Sequence, residues 1–225
     1  MFLKVNDIDL WYEVKGTGHP FILLHGNSVT HEIFDVLMEE LSKKFTVYAI
    51  DSRDHGKSTK TNKLSYDMMT EDVAAFINKL NLEKPLLYGL SDGGNVGLLV
   101  ASKYPDLLSG MIISGANTSP EGVNKIWYIL FKIIYFIFRQ DKHRMVLEEP
   151  HITQDDLRKI NIPVLVLAGE ERKEFVKEED TKFIAENIPD STLKILENES
   201  HISYVVHSPK LYKIIEPFIE RIIAS

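Results

Sequence analysis

Five stretches of the chain are short, almost wholly apolar and bounded by turn-forming residues: FILLHG (21–26), TVYAID (46–51), PLLYGL (85–90), MIISG (111–115) and PVLVLAG (163–169). Runs of this length suit strands buried on both faces, the pattern of a parallel sheet covered by helices. The intervening segments have helical spacing. His31–Lys44 places Ile33, Leu37 and Leu41 on one face, and Tyr66–Leu80 does the same with Met69, Val73, Ala74 and Ile77. Residues 92–103, Lys177–Asn187 and the chain from Pro209 onward read as further helices, the last with Leu211, Ile214, Ile215 and Phe218 inward. Residues 2–15 predict two strands about a turn at Asn6 and Asp7, and TLKIL (192–196) one more. Strands alternating with helices predict an α/β fold with a mostly parallel central sheet of about eight strands and helices on both faces. In such sheets reactive groups gather at the carboxyl ends of the strands.

With 225 residues, no internal repeat and no linker, the chain reads as a single domain, 1–225, carrying an insertion at about 118–150. A net charge of −7 and the lack of a basic stripe argue against a nucleic-acid partner. The chain has no cysteine, which excludes disulfides and thiolate metal sites and fits a cytoplasmic location. The opening MFLKVNDIDLWYEVKG alternates apolar and polar residues, as a strand does and a signal peptide does not. IWYILFKIIYFIF (126–138) contains Lys132, and as a helix it reaches roughly 20 Å, short of the roughly 30 Å of a bilayer core. The expectation is therefore a buried or cleft-covering helix without stable membrane insertion, which leaves oligomerisation through the apolar insertion open.

Gly89-Leu90-Ser91-Asp92-Gly93 is a G-x-S-x-G motif between a strand and a helix. Glycines two before and two after remove the collisions a sharp turn would cause, so Ser91 is presented as a nucleophile at the sheet edge. A serine at neutral pH needs a base. His201, between the last predicted strand and the last helix, falls at the same edge. His207 competes but falls at the start of the final helix, and His143 and His151 are placed with the insertion and expected at the surface. The chain after the FILL strand, His25-Gly26-Asn27-Ser28, folds back so that the Asn27 amide serves with the Asp92 amide as an oxyanion hole.

These elements in order resemble the α/β-hydrolase fold superfamily, nearly end to end: LLHGN (23–27), DSRDHGKS (51–58), GLSDGGN (89–95), PVLVLAGE (163–170) and Ser200-His201. The second reads Asp-x-Arg-Gly-x-Gly-x-Ser in the family; here Asp54 replaces the first glycine. The family's triad acid sits three residues after the glycine of AGE, where this chain has Arg172. Counting back from KEED brings Glu174 to that role, with Glu171 second and Asn117 at an alternative site. The resemblance implies a serine hydrolase that cleaves an ester-like bond of a small or slender apolar substrate, with a short helical lid and without metal or organic cofactor. The insertion roofs a pocket expected to involve His25, Trp127, Leu130 and Ile134. The alternative is a small-molecule receptor or regulatory protein on the same fold, with slow or no turnover. A nucleotide-dependent dehydrogenase fails for lack of G-x-G-x-x-G after the first parallel strand.

Overall fold

The computed structural model describes residues 1–61, 63–170 and 175–224. The chain opens with the hairpin β1 (Phe2–Val5) and β2 (Ile8–Lys15), followed by β3 (His19–Leu24), α1 (Asp35–Leu41), β4 (Phe45–Ile50), α2 (Tyr66–Lys79), β5 (Leu86–Leu90), α3 (Asp92–Lys103) and β6 (Gly110–Ser114). An excursion carrying α4 (Lys125–Phe138) and α5 (Asp141–Glu148) comes next. Then follow α6 (Gln154–Arg158), β7 (Val164–Gly169), α7 (Glu178–Asn187), β8 (Ser191–Leu196) and α8 (Lys210–Ile223).

The eight strands form one sheet in the order β1-β2-β4-β3-β5-β6-β7-β8. β1, β2 and β4 pair antiparallel, and every other pairing is parallel. The continuous apolar runs follow from two separate cores. Ile22, Leu24, Leu87, Met111, Ile113, Val164 and Val166 face a layer that includes α2, α3 and α7. Their neighbours Phe21, Leu23, Leu86, Tyr88, Ile112, Leu165 and Leu167 face α1 and α8. Side chains alternate across a strand, so a strand buried on both faces must be apolar at every position.

The helix expected over His31–Lys44 is shorter and opens differently. Residues His31–Phe34 form a 3-10 turn, and the α-helix runs only from Asp35 to Leu41. His31 is the reason: its amide and its Nδ1 both bond Oδ1 of Asp51 at the end of β4 (2.9 and 2.7 Å), which tightens the first turn. The excursion holds two helices; the apolar one forms where expected, but it covers the cleft without burying any of its residues. The ends of the excursion meet where the Ile152 amide donates to the Thr118 carbonyl at 2.8 Å. No helix among the described residues is long and apolar enough to cross a membrane.

One buried ion pair fastens the loop after β4 to the sheet's flank. Arg53 Nε and Nη2 donate to the two carboxylate oxygens of Asp72 on α2 (2.6 and 2.8 Å), with both side chains almost fully buried. Asp72→Ala leaves that guanidinium facing only the exposed Asp7. It should lower unfolding free energy by about 3 kcal/mol or more, whereas the paired Arg53→Met/Asp72→Leu replacement should cost less. Denaturant unfolding of the two variants checks the order.

Candidate active site

β3 and β5 are adjacent, with Leu24 opposite Gly89, so the loops leaving their carboxyl ends lie side by side. Ser91, the residue between β5 and α3, has φ +52° and ψ −116°, a conformation L-residues adopt only under constraint. The constraint is backbone packing. A Cβ on Gly89 would stand 2.3 Å from the Gly93 carbonyl oxygen, and one on Gly93 would stand 2.2 Å from that of Leu24. The turn is closed by the Ser91 amide donating to Ser114 O at 2.7 Å, while Ser91 O accepts from Gly94 and Asn95 to begin α3.

His201 must reach Ser91 from beyond β8, three strand spacings or about 14 Å away. The loop after β8 crosses the ends of β7 and β6, and both crossings are over glycine. A Cβ on Gly169 would stand 2.2 Å from Glu199 O, and one on Gly115 would meet the His201 ring at 2.3 Å from Cε1. The ring also lies against Phe175, centroids 5.2 Å apart. Burial pulls the His201 pKa from 6.5 down to about 4, so the imidazole is unprotonated at neutral pH.

The loop after β3 is clamped by two neutral histidines. His25 Nδ1 donates to Gly26 O (2.8 Å) and Nε2 accepts from the Ser52 amide (3.0 Å). His55 Nδ1 donates to Arg53 O (3.0 Å) and Nε2 accepts from the Ser28 amide (3.2 Å). The amide donor facing each Nε2 fixes the Nδ1–H tautomer of both rings. Desolvation lowers both pKa values, that of His25 to about 3. The side chain of Asn27 is held as well: Nδ2 donates to Asp92 Oδ2 and to the Lys142 carbonyl of α5, both at 2.9 Å. Asp92 accepts a further bond from Tyr66 Oη (2.7 Å), and burial raises its pKa.

Ser91, His201, Asn27 and Trp127 line one cavity of about 440 Å³, with Gly26 and Ser200. The remaining walls are apolar: Val29, Ile33, Leu90, Phe131, Phe175, Ile202 and Val206. Asp92 is buried beside it. Three residues expected at the pocket do not line it. His25 lies beneath the site, its ring occupied by the clamp; Leu130 points outward on α4 and is 40% exposed; Ile134 is half-buried on the same helix. Glu174 and Glu171 lie outside the described residues. Asn117 is engaged elsewhere, its amide bonding Asn95 at 3.0 Å and Ser119 at 2.8 Å. His207 pairs with Asp35 at the surface. The cavity walls Phe175 and Ile202 carry no motif, and only the coordinates reveal them. His55 stood inside DSRDHGKS without a role; the clamp supplies one.

This geometry agrees with the comparisons. Residues 19–142, more than half of the chain, match the family described as the alpha/beta hydrolase fold, and the chain belongs to that family. The chain is 34% identical over 121 residues to the sn-1-specific diacylglycerol lipase ABHD11 of Danio rerio, a match covering 51% of this chain and 38% of that protein. It is 27% identical over 252 aligned positions to the human (Homo sapiens) serine hydrolase BPHL, covering 97% of this chain and 85% of that one. Among solved structures, the bromoperoxidase of Bacillus anthracis superposes with a TM-score of 0.86 at 20% identity, over 98% of this chain and 99% of the other. That likeness shows the shared fold alone. The curated relatives are hydrolases with esterase and lipase members, and an enzyme is the reading they support.

The depressed histidines bear on stability. The unfolded imidazole of His201 takes up its proton near pH 6.5, the folded one only near 4. The folded state is therefore penalised as pH falls through that window and is unaffected above it. Between about pH 7 and about pH 5, His201→Gln should lose less stability than the unsubstituted protein, by on the order of 2 kcal/mol. Chemical denaturation at the two pH values reads the difference.

Proposed function

We propose that the protein is a serine hydrolase that cleaves a carboxylic ester of a small or slender apolar substrate through an acyl-enzyme. The observation that carries this is Ser91, held at positive φ and lining the same apolar cavity as a neutral His201. Ser91 Oγ attacks the ester carbonyl while His201 takes its proton. The amides of Asn27 and Asp92 receive the oxyanion, aided by the amino end of α3. His201 then protonates the departing alcohol, and water activated by the same imidazole releases the acid. Glu174, with Glu171 second, is the carboxylate proposed to orient His201. The lipase named among the relatives supports ester chemistry. The walls offer apolar contact throughout, and about 440 Å³ suits a ligand of modest size.

A fluorophosphonate probe should label the protein rapidly and Ser91→Ala not at all. Failure of the intact protein to label would instead favour the receptor reading. Ser91→Ala and His201→Ala should each reduce kcat on a p-nitrophenyl ester by at least about a thousandfold. Rates should rise with acyl length over the short-chain range, and a flat profile would count against an apolar acyl site. Glu174→Gln should reduce kcat by about a hundredfold or more. An unchanged rate there, with loss in Glu171→Gln, moves the acid to position 171.

A further inference from the structure

We infer that the outward face of α4 is a docking surface for an anionic lipid bilayer, with the helix lying in the plane of the interface. An ordinary surface helix turns its polar side to water. α4 does the opposite. None of its residues is buried, and Ile126, Ile129, Leu130, Ile133, Phe136 and Ile137 are each between 40% and 72% exposed. At about 100° per residue these six fall within one arc of about 120°, with no polar side chain inside it. The opposite side is occupied: Phe131 packs on His143 of α5, and Trp127 and Phe131 roof the cavity.

Charge decides what covers the arc. Lys125, Lys132 and Arg139 recur at intervals of seven along one edge of it, all exposed. No acidic residue occurs between Glu121 and Asp141, although the chain as a whole carries −7. Among the described residues none of the three cations forms an ion pair with an acidic side chain. Lys132 lies over the Tyr128 ring and Arg139 over the rings of Tyr135 and Phe136. An apolar strip edged by cations on long flexible stems matches acyl chains bordered by anionic headgroups. It does not match a second copy of itself. Two such helices packed antiparallel about a dyad would set Lys132 against its own symmetry mate and Lys125 against a symmetry-related Arg139, like charge against like at all three levels. Fourteen residues reach about 21 Å, too short to span, so the helix lies along the surface.

The test uses Ser91→Ala protein, so that hydrolysis of vesicle lipid plays no part and binding is read apart from the catalytic reading. The protein should co-sediment with vesicles of phosphatidylcholine containing about one-third phosphatidylserine, and at least about tenfold less with phosphatidylcholine alone. Adding Ile129→Glu/Ile133→Glu should abolish binding, and adding Lys125→Glu/Lys132→Glu should remove the preference for anionic vesicles. Both pairs are exposed, and melting curves confirm that each variant folds. Should either fail to fold, loss of binding in high salt and slowed hydrogen exchange of the α4 amides on vesicles test the same surface. Absence of binding to anionic vesicles, or binding that survives both double variants, overturns the proposal. So does a dimer in solution that Ile133→Glu dissociates while vesicles remain unbound.

Discussion

The site depends on close backbone contact at two glycines. Gly89 and Gly93 let the end of β5, the start of α3 and the end of β3 approach to distances no side chain permits. Ser91 is held in a left-handed conformation because the chain on each side of it is locked, into the sheet through Ser114 and into α3 through Gly94 and Asn95. The position of the Asn27 loop follows from the same approach, since Leu24 is both the residue pressed against Gly93 and the last residue of the strand leading to Asn27. Glycine recurs wherever the chain must cross a strand end: at 169 and 115 it makes room for the loop that brings His201 across the sheet.

Short-range chemistry made much of this legible in sequence. The five central strand runs are apolar at nearly consecutive positions because each lies between two cores, whereas β1, β2 and β8 alternate at the margins; all eight strands form where these two patterns predict. The meeting of Ser91 and His201 at one cavity was legible because a sharp turn needs glycines at fixed offsets and because the last strand-to-helix connection opens at the carboxyl edge of the sheet. Asp54 could be seen only as a departure from a glycine position; the coordinates give its physical sense. It holds φ +65°, a region aspartate tolerates better than most residues, and its carboxylate accepts from the Thr61 amide.

What sequence did not reveal is set by contacts between distant segments. His25 was expected to face substrate because it stands at a strand end beside Gly26. Its ring is instead consumed by Gly26 and Ser52, from loops 27 residues apart in part, and no local pattern announces such a bond. The shortened helix after Thr30 has the same origin, a bond from His31 to Asp51 on another strand. Leu130 and Ile134 were assigned to the pocket from composition alone, because a helix apolar all round gives no sequence cue to which side meets the fold. Packing against α5 sets that side, turning Trp127 and Phe131 inward and Leu130 out.

The single bond between Thr118 and Ile152 has a consequence for how this protein varies. Departure and return lie one hydrogen bond apart, while α5 between them is tied to the body: Met145 is fully buried in the core, and Lys142, Asp141 and Glu149 accept from Asn27, Leu64 and Tyr66. Only α4, none of whose residues is buried, is therefore free to vary without disturbing the core. Such an arrangement lets a scaffold exchange its outer roof helix, by recombination or by grafting, while α5, the elbow and the two imidazole clamps stay in register.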